Sequence, residues 1–426
     1  MLTLKLIRDD KDFVINRLKI KNFDATELVE KIIACDDRRK ECQFTKDNIL
    51  KELNNIAKQV GQLFAQGKKD EAEQAKSKTA ELKEQVRELE AKQAEAEKEL
   101  NGYMLLLPNT PHESVPCGKG EDDNVVEKMG GTIPELKFKK PHWEIIKDLN
   151  IINFDLGTKI TGAGFPVYLG KGAKLQRALI TFFLDEAEKA GYAEVLPPLM
   201  VNEDSGYGTG QLPDKEGQMY HATMDNYYLI PTAEVPVTNL YRDVILNEKD
   251  FPIKNVAYSA CFRREAGSWG ANVRGLNRLH EFDKVEIVQI RKPEDSYQAL
   301  EEMKAHVEGL LIKLGLPYRV LRLCGGDISF TSSLTFDFEV FSAAQEKWLE
   351  VSSVSNFEDF QANRLKLRYR TADKKTQLCH TLNGSALALP RIMAAIIENY
   401  QTEDGIIVPE VLRKYTGFDK IDITTM

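Results

Sequence analysis

With 426 residues the chain is long enough for two or three domains, each able to bury its own core. No apolar run approaches the roughly 18–20 residues a membrane span needs, and the N-terminus lacks a signal peptide's unbroken apolar stretch, so a cytoplasmic chain with no membrane partner is expected. The net charge of −8 argues against a globally basic nucleic-acid binder, so any RNA contact must come from a local basic stripe.

The N-terminal third is dominated by heptads. Leu28, Ile32, Cys35, Arg39, Cys42, Lys46, Ile49, Leu53, Ile56, Val60 and Leu63 are spaced alternately by four and three, and a second register runs Ala72, Ala75, Thr79, Leu82, Val86, Leu89, Gln93, Ala96, Leu100. With Ala65-Gln66-Gly67 as the turn, the two segments read as an antiparallel helical hairpin over about residues 27–101. Leu63 would then face Ala72, Leu53 would face Leu82 and Ile49 would face Val86. Arg39 would fall opposite Ala96, its long stem reaching water. Each arm would be about 35 residues, or about 50 Å. One narrow seam and a Lys/Glu-rich outer face imply an arm that projects into solvent. Such a hairpin serves either as a coiled-coil spacer or dimerisation element, or as an arm that reaches a large partner. Lys58, Lys68, Lys69, Lys76, Lys78 and Arg87 offer local positive charge, interleaved with glutamates.

Turn-forming residues then take over, from Pro108 through Pro111, Pro116, Gly118 and Gly120 to Gly131. The expected division is an N-terminal domain over 1–105, a linker over 106–130 and a larger domain over 131–426. Strands mixed with helices in the larger domain predict an α+β fold built on an antiparallel sheet. Leu175, Ala178, Leu179 and Phe182 give the stripe of a helix lying on a core, with Gly191 as its stop, followed by a strand over Tyr192–Leu196 and then Pro197-Pro198.

The stretch from Tyr258 to Gln289 carries the most chemistry. One strand runs into Cys261-Phe262-Arg263-Arg264-Glu265 and another starts near Asp283-Lys284-Val285-Glu286, across a basic, glycine-rich loop far longer than a tight hairpin's. Alternation would set Arg263 and Glu265 on one sheet face, where both could meet one ligand. A guanidinium suits a carboxylate or an α-phosphate because its planar fork donates several hydrogen bonds at fixed angles. Trp348-Leu349-Glu350-Val351-Ser352-Ser353 reads as a short strand ending in hydroxyls, with hard oxygens of the kind that hold Mg²⁺ near phosphates. Leu382-Asn383-Gly384-Ser385 through Pro390-Arg391 reads as a polar turn opening an apolar helix, Ile392–Tyr400, with Arg391 in an early turn able to clamp a phosphate. The six cysteines, Cys35, Cys42, Cys117, Cys261, Cys324 and Cys379, show no C-x-x-C pair, so neither a zinc knuckle nor a disulfide scaffold is expected.

These segments, in this order, resemble the signature motifs of class II aminoacyl-tRNA synthetases, and their wording is similar to that of the bacterial-type seryl-tRNA synthetases. The resemblance lies in Phe262-Arg263-Arg264-Glu265-Ala266-Gly267-Ser268, Val273-Arg274-Gly275-Leu276, Phe282-Asp283-Lys284-Val285-Glu286, Pro231-Thr232-Ala233-Glu234, Glu350-Val351-Ser352-Ser353 and Asn383-Gly384-Ser385, together with the N-terminal hairpin. It implies an antiparallel sheet flanked by helices, a homodimer with Pro198 near its interface, and ATP-dependent activation of L-serine to seryl-adenylate. Transfer to tRNA(Ser) would follow, with tRNA(Sec) as a further acceptor. By motif position, Arg263 would bridge the serine carboxylate and the ATP α-phosphate. Thr232, Ala233, Glu234, Glu286, Asn383 and Ser385 would complete the serine subsite. Arg264, Glu265, Leu279, Phe282, Glu350, Val351, Ser352, Ser353 and Arg391 would line the ATP subsite, with Glu350 and Ser353 carrying Mg²⁺ and no zinc. Arg264 stands where bacterial members usually have serine, Ala271-Asn272 where Arg-Asp is usual and Glu281 where glutamine is usual, and the loop changes bear on how the loop contacts the acceptor stem.

A carrier-protein aminoacyl ligase of the same class would lack the long arm. A scaffold or degenerate synthetase would not need Arg263, Glu286, Ser385 and Arg391 together. About 35 residues after Arg391 leave no room for an anticodon-binding domain, which disfavours threonyl and prolyl relatives.

Overall fold

A computed structural model of the chain describes residues 1–137, 139–214, 216–265 and 274–422. They fall into two compact units, one of Met1–Lys19 with Phe23–Pro108, the other of Ile20–Asn22 with Asn109 onward.

The first unit is helical. Its long helices, α1 (Thr26–Ala65) and α2 (Lys69–Leu106), are joined through Gly67, whose φ of 76° is the left-handed value that lets the chain reverse. Ile32, Cys35 and Ile56 of α1 and Ala72, Leu82, Ala96 and Leu100 of α2 are buried along the seam that the heptads predict. Lys46 donates to Gln93 at 3.0 Å and Lys78 pairs with Glu52 at 2.7 Å, so the arms run antiparallel. Two details differ at the base. Val29 rather than Leu28 is buried, where α1 also packs against the short helix Leu4–Asp9. Arg39 turns along its own helix to pair with the buried Asp36 at 2.7 Å.

The second unit is built on an eight-stranded sheet. In chain order its strands are β1 (Val125–Gly130), β2 (Ala193–Glu194), β3 (Ile253–Phe262), β4 (Glu281–Arg291), β5 (Tyr318–Arg322), β6 (Leu334–Ser342), β7 (Lys347–Glu358) and β8 (His380–Ala388). They lie side by side as β1-β5-β6-β7-β8-β4-β3-β2. Every pairing is antiparallel except β2 with β3. The edge strand β1 comes from the stretch that composition marks as linker.

Alternation divides the sheet into two unlike faces. Val285, Ile287, Val354, Leu382 and Ala386 point into the main core. That face is covered by α4 (Gly170–Lys189), α6 (Ser296–Leu314) and α8 (Leu389–Asn399). α4 buries the expected Leu175, Ala178, Leu179 and Phe182, and Gly191 with φ 83° turns the chain out of it. α8 buries Ile392, Met393, Ile396 and Ile397, with Pro390 in its first turn where a missing N–H costs nothing. α3 (His142–Asp148) packs against α8. The opposite face is partly covered by α5 (Glu234–Asn239) and α7 (Phe360–Leu365), through a smaller cluster that includes Ala233, Val237, Ala362 and Leu365. They leave uncovered a stretch of that face, the cleft, where Arg263, Phe282 and Ser353 stay partly exposed.

Three expectations need correction. β2 is two residues long, not the strand Tyr192–Leu196. β7 spans twelve residues, so its hydroxyls sit mid-strand rather than at an end. Asn383-Gly384-Ser385 is no turn but the middle of β8, hydrogen-bonded on both sides. Polar residues look like a loop until one sheet face is known to line a cleft. No helix among the described residues is long and apolar enough to cross a membrane.

Candidate active site

The cleft face of the sheet is set by register. Glu286 lies opposite Ser385 on β8 and opposite Ala257 on β3; Phe282 lies opposite Cys261. Two residues past Cys261 on the same face comes Arg263, whose backbone N–H bonds the carbonyl of His280 at 2.9 Å. Its guanidinium carbon stands 5.2 Å above the Phe282 ring, and its Nε points to the carbonyl of Pro231 at 3.4 Å. The aromatic face and that carbonyl hold the fork at the cleft floor.

β3 ends at Phe262, and Glu265 adopts φ 47°, so strand alternation does not place Glu265. The turn does: its carboxylate pairs with Arg278 at 2.8 Å. Arg264 is exposed, with its backbone N–H on the Gln218 carbonyl at 2.8 Å. Ala271 and Asn272, with the rest of 266–273, lie outside the described residues.

At the closed end sits a buried polar cluster. Lys284 pairs with Glu286 at 2.5 Å and donates to Thr232 Oγ1 at 2.8 Å. The backbone N–H of Glu234 bonds that same hydroxyl at 3.2 Å, and Ser385 faces Glu286 at 3.5 Å. Glu234 accepts the Gln361 amide at 2.6 Å and the Gln211 amide at 3.4 Å. Burial, reinforced by the neighbouring charge of Glu286, pushes the Glu234 carboxyl up to about 7 against the hydrogen bonds of Gln361 and Asn383. Two acidic groups around one lysine, under a layer of amides and hydroxyls, make a cavity end suited to a small ligand that carries a cation and a hydroxyl.

Lys284, Gln361, Gln211 and Thr381 were not legible as members of this cluster. Thr381 donates to Gln361 Oε1 at 2.7 Å, which leaves only the amide N–H groups to face Glu234. Gln361 lies 127 positions from Glu234, so no spacing could have joined them. Lys284 lies within Phe282–Glu286, where strand alternation with Glu286 is the available signal.

At the open end, β6–β7 pairing sets Asp337 opposite Ser353 and, across a bulge, Glu339 opposite Glu350, so Glu350 and Ser353 share the cleft face. Ser353 hydrogen-bonds Asp337. Arg391, in the first turn of α8, donates its Nε to the carbonyl of Asn277 at 3.0 Å and its Nη1 to that of Glu350 at 2.7 Å. Ala233, Leu279 and Val351 are buried apolar groups, and Ser352 donates to the Ser385 carbonyl at 2.5 Å.

The chain is similar to known proteins along nearly its whole length. The family model described as the tRNA synthetase class II core domain (G, H, P, S and T) matches residues 219–400, and that of the seryl-tRNA synthetase N-terminal domain matches residues 1–111. A serine–tRNA ligase of Salinibacter ruber is 49% identical over 424 residues, 99% of either chain. The crystal structure of seryl-tRNA synthetase from Pyrococcus horikoshii complexed with ATP aligns with a TM-score of 0.92 at 34% identity, over 99% of both chains. That of the cytoplasmic serine-tRNA ligase from Naegleria fowleri in complex with AMP gives 0.88 at 26% identity, over 100% of this chain and 99% of that one.

Proposed function

The chain belongs to the serine–tRNA ligases of the class II aminoacyl-tRNA synthetases, and from that premise we propose how its residues share the reaction. The observation that carries the assignment is the buried cluster of Glu234, Glu286, Lys284 and Thr232 closing a cleft with Arg263 on its floor. Glu234, Glu286 and Thr232 hold the serine ammonium and hydroxyl, and Ser385 with Asn383 closes on the side chain. Arg263 spans the serine carboxylate and the ATP α-phosphate. Phe282 and Glu265 lie toward the adenine, and Arg391 toward the γ-phosphate. The Pyrococcus horikoshii relative was crystallised in complex with ATP, which supports nucleotide binding by this chain.

Serine's carboxylate is ionised at neutral pH, so adenylate formation needs no general base. Arg263 places the carboxylate in line with the α-phosphate and offsets charge building on the equatorial oxygens. Glu350 and Ser353 would hold Mg²⁺. Their hard oxygens suit it, and Asp337, the partner of Ser353, keeps a second buried oxygen without a hydrogen bond. When bound, the ion supplies charge neutralisation at the phosphates. Alanine is rejected roughly 10⁴-fold because it leaves the pocket's polar groups unpaired, whereas threonine is excluded by shape.

The hairpin of α1 and α2 is the arm that grasps tRNA(Ser), and tRNA(Sec) where that acceptor exists. Exposed Leu196, Leu199 and Met200 around Pro198 support a homodimer through that face. A cytoplasmic site of action fits these partners. Serine-dependent ATP–pyrophosphate exchange is the decisive assay. Serine should stimulate it, and Arg263→Ala should abolish it. Stimulation by threonine or proline in place of serine overturns the substrate assignment.

A further inference from the structure

His142 and Glu398 are both wholly buried, and the reaction proposed above uses neither. His142 Nδ1 lies 2.7 Å from Glu398 Oε1, and the His142 backbone N–H donates to the same oxygen at 3.0 Å. Nε2 faces the other way and accepts the backbone N–H of Leu276 at 2.9 Å. A ring nitrogen that accepts carries no proton, so the imidazole hydrogen sits on Nδ1 and is donated to Glu398. Ser342 and Gln345 supply the remaining donors to that carboxylate, Gln345 at 3.0 Å. Gln345 then turns its Oε1 to the side-chain amide of Asn277 at 3.0 Å.

Leu276 and Asn277 lead from the loop into β4, and Asn277 supplies the carbonyl that receives Arg391 Nε at 3.0 Å. Arg391 and Glu398 are seven residues, about two turns, apart on α8 and so share one helix face. One helix therefore grips the same dipeptide twice, directly through Arg391 and indirectly through Glu398 with His142 and Gln345. Neighbouring residues fit this arrangement. The Arg274 guanidinium carbon lies 5.0 Å above the Trp143 ring. Gly275 has φ 66°, and a Cβ there would come within 2.3 Å of His142 Nε2.

We propose that His142 is a positioning residue for the nucleotide end of the site: with Glu398 it fixes Leu276–Asn277, and the Asn277 carbonyl thereby aims the free edge of the Arg391 guanidinium at the phosphates. The inference rests on Arg391 being a phosphate residue. Its signature is asymmetric. A latch acting through Arg391 alters the use of ATP and leaves serine binding alone, whereas an ion pair that only packs the core alters both through lost stability.

The test uses the full chain, with pyrophosphate exchange titrated separately in ATP and serine and thermal melting alongside. His142→Asn keeps an amide donor near Nδ1 and loses the acceptor for Leu276. His142→Gln places an amide oxygen near Nε2 and restores that acceptor. His142→Asn should raise the KM for ATP about tenfold while the serine KM stays within about twofold, and His142→Gln should recover part of the loss. Gln345→Ala, at a half-buried position, should shift the ATP KM the same way by less, and it decides the matter if His142→Asn does not fold. Parallel rises in both KM values, or an unchanged ATP KM where Arg391→Ala raises it, overturn the latch. An Arg391→Ala enzyme with normal ATP kinetics would instead overturn the phosphate role of Arg391, and the latch with it.

Discussion

Gln361 shows how one neutral side chain can tune a charged pocket. Its Oε1 is held by Thr381, so its amide must donate, to Glu234 at 2.6 Å and to the Thr209 carbonyl at 3.1 Å. Gln361→Ala removes a hydrogen bond to a buried carboxylate, a loss of about 1.5–3 kcal/mol, so kcat/KM for serine should fall roughly 10- to 100-fold with the ATP KM little changed. The pH dependence follows from the same group. In the proposed site the serine ammonium needs Glu234 ionised, and the Glu234 carboxyl is pushed up to about 7 by burial and by Glu286. Hence kcat/KM for serine should decline as pH falls through that region. Since the Gln361 hydrogen bond lowers this value, the midpoint should move upward in Gln361→Ala. A profile flat across neutral pH counts against an ionised Glu234 as the ammonium's partner.

At the scale of elements, close backbone approach matters more than periodicity. Gly384 in β8 sits against Val354 of β7, where a Cβ would meet its methyl carbons at 3.0 and 3.3 Å. That contact lets the polar run Asn383-Gly384-Ser385 lie flat in the sheet, with its side chains toward the cleft. Near the start of α4, Gly172 rests on Ile151, and a Cβ would lie 2.3 Å from the Ile151 carbonyl oxygen. Backbone cannot give way as a side chain can. Gly172→Ala should therefore cost about 1–3 kcal/mol, read as a lower midpoint of thermal or urea unfolding. Exchange kinetics of the folded fraction should be kept, because α4 covers the face of the sheet away from the cleft. An unshifted midpoint would mean that the helix slides without cost.

At the scale of the whole molecule, the two compact units invite a division of labour that deletion can test. Without residues 30–100 the chain should retain serine-dependent exchange and lose aminoacylation of tRNA(Ser); charging that survives means the arm is not the RNA-binding element. The long helices were legible because heptads are local, as were the helices at Leu175–Phe182 and Ile392–Tyr400 and the motif residues Arg263, Glu286 and Arg391. By itself the sequence determined the α+β class, the antiparallel arm and the family, and it named the residue types of the proposed site, each resting on short-range pattern or on motif wording. Only the tertiary structure decided that Asn383–Ser385 is a strand, that Glu265 is set by a turn, that Lys284 and Gln361 join Glu286 and Glu234 in one buried cluster, and that His142 pairs with Glu398. The reason is physical: strand register and buried hydrogen bonds join groups far apart in the chain, and a residue's polarity does not reveal which distant donor will satisfy it.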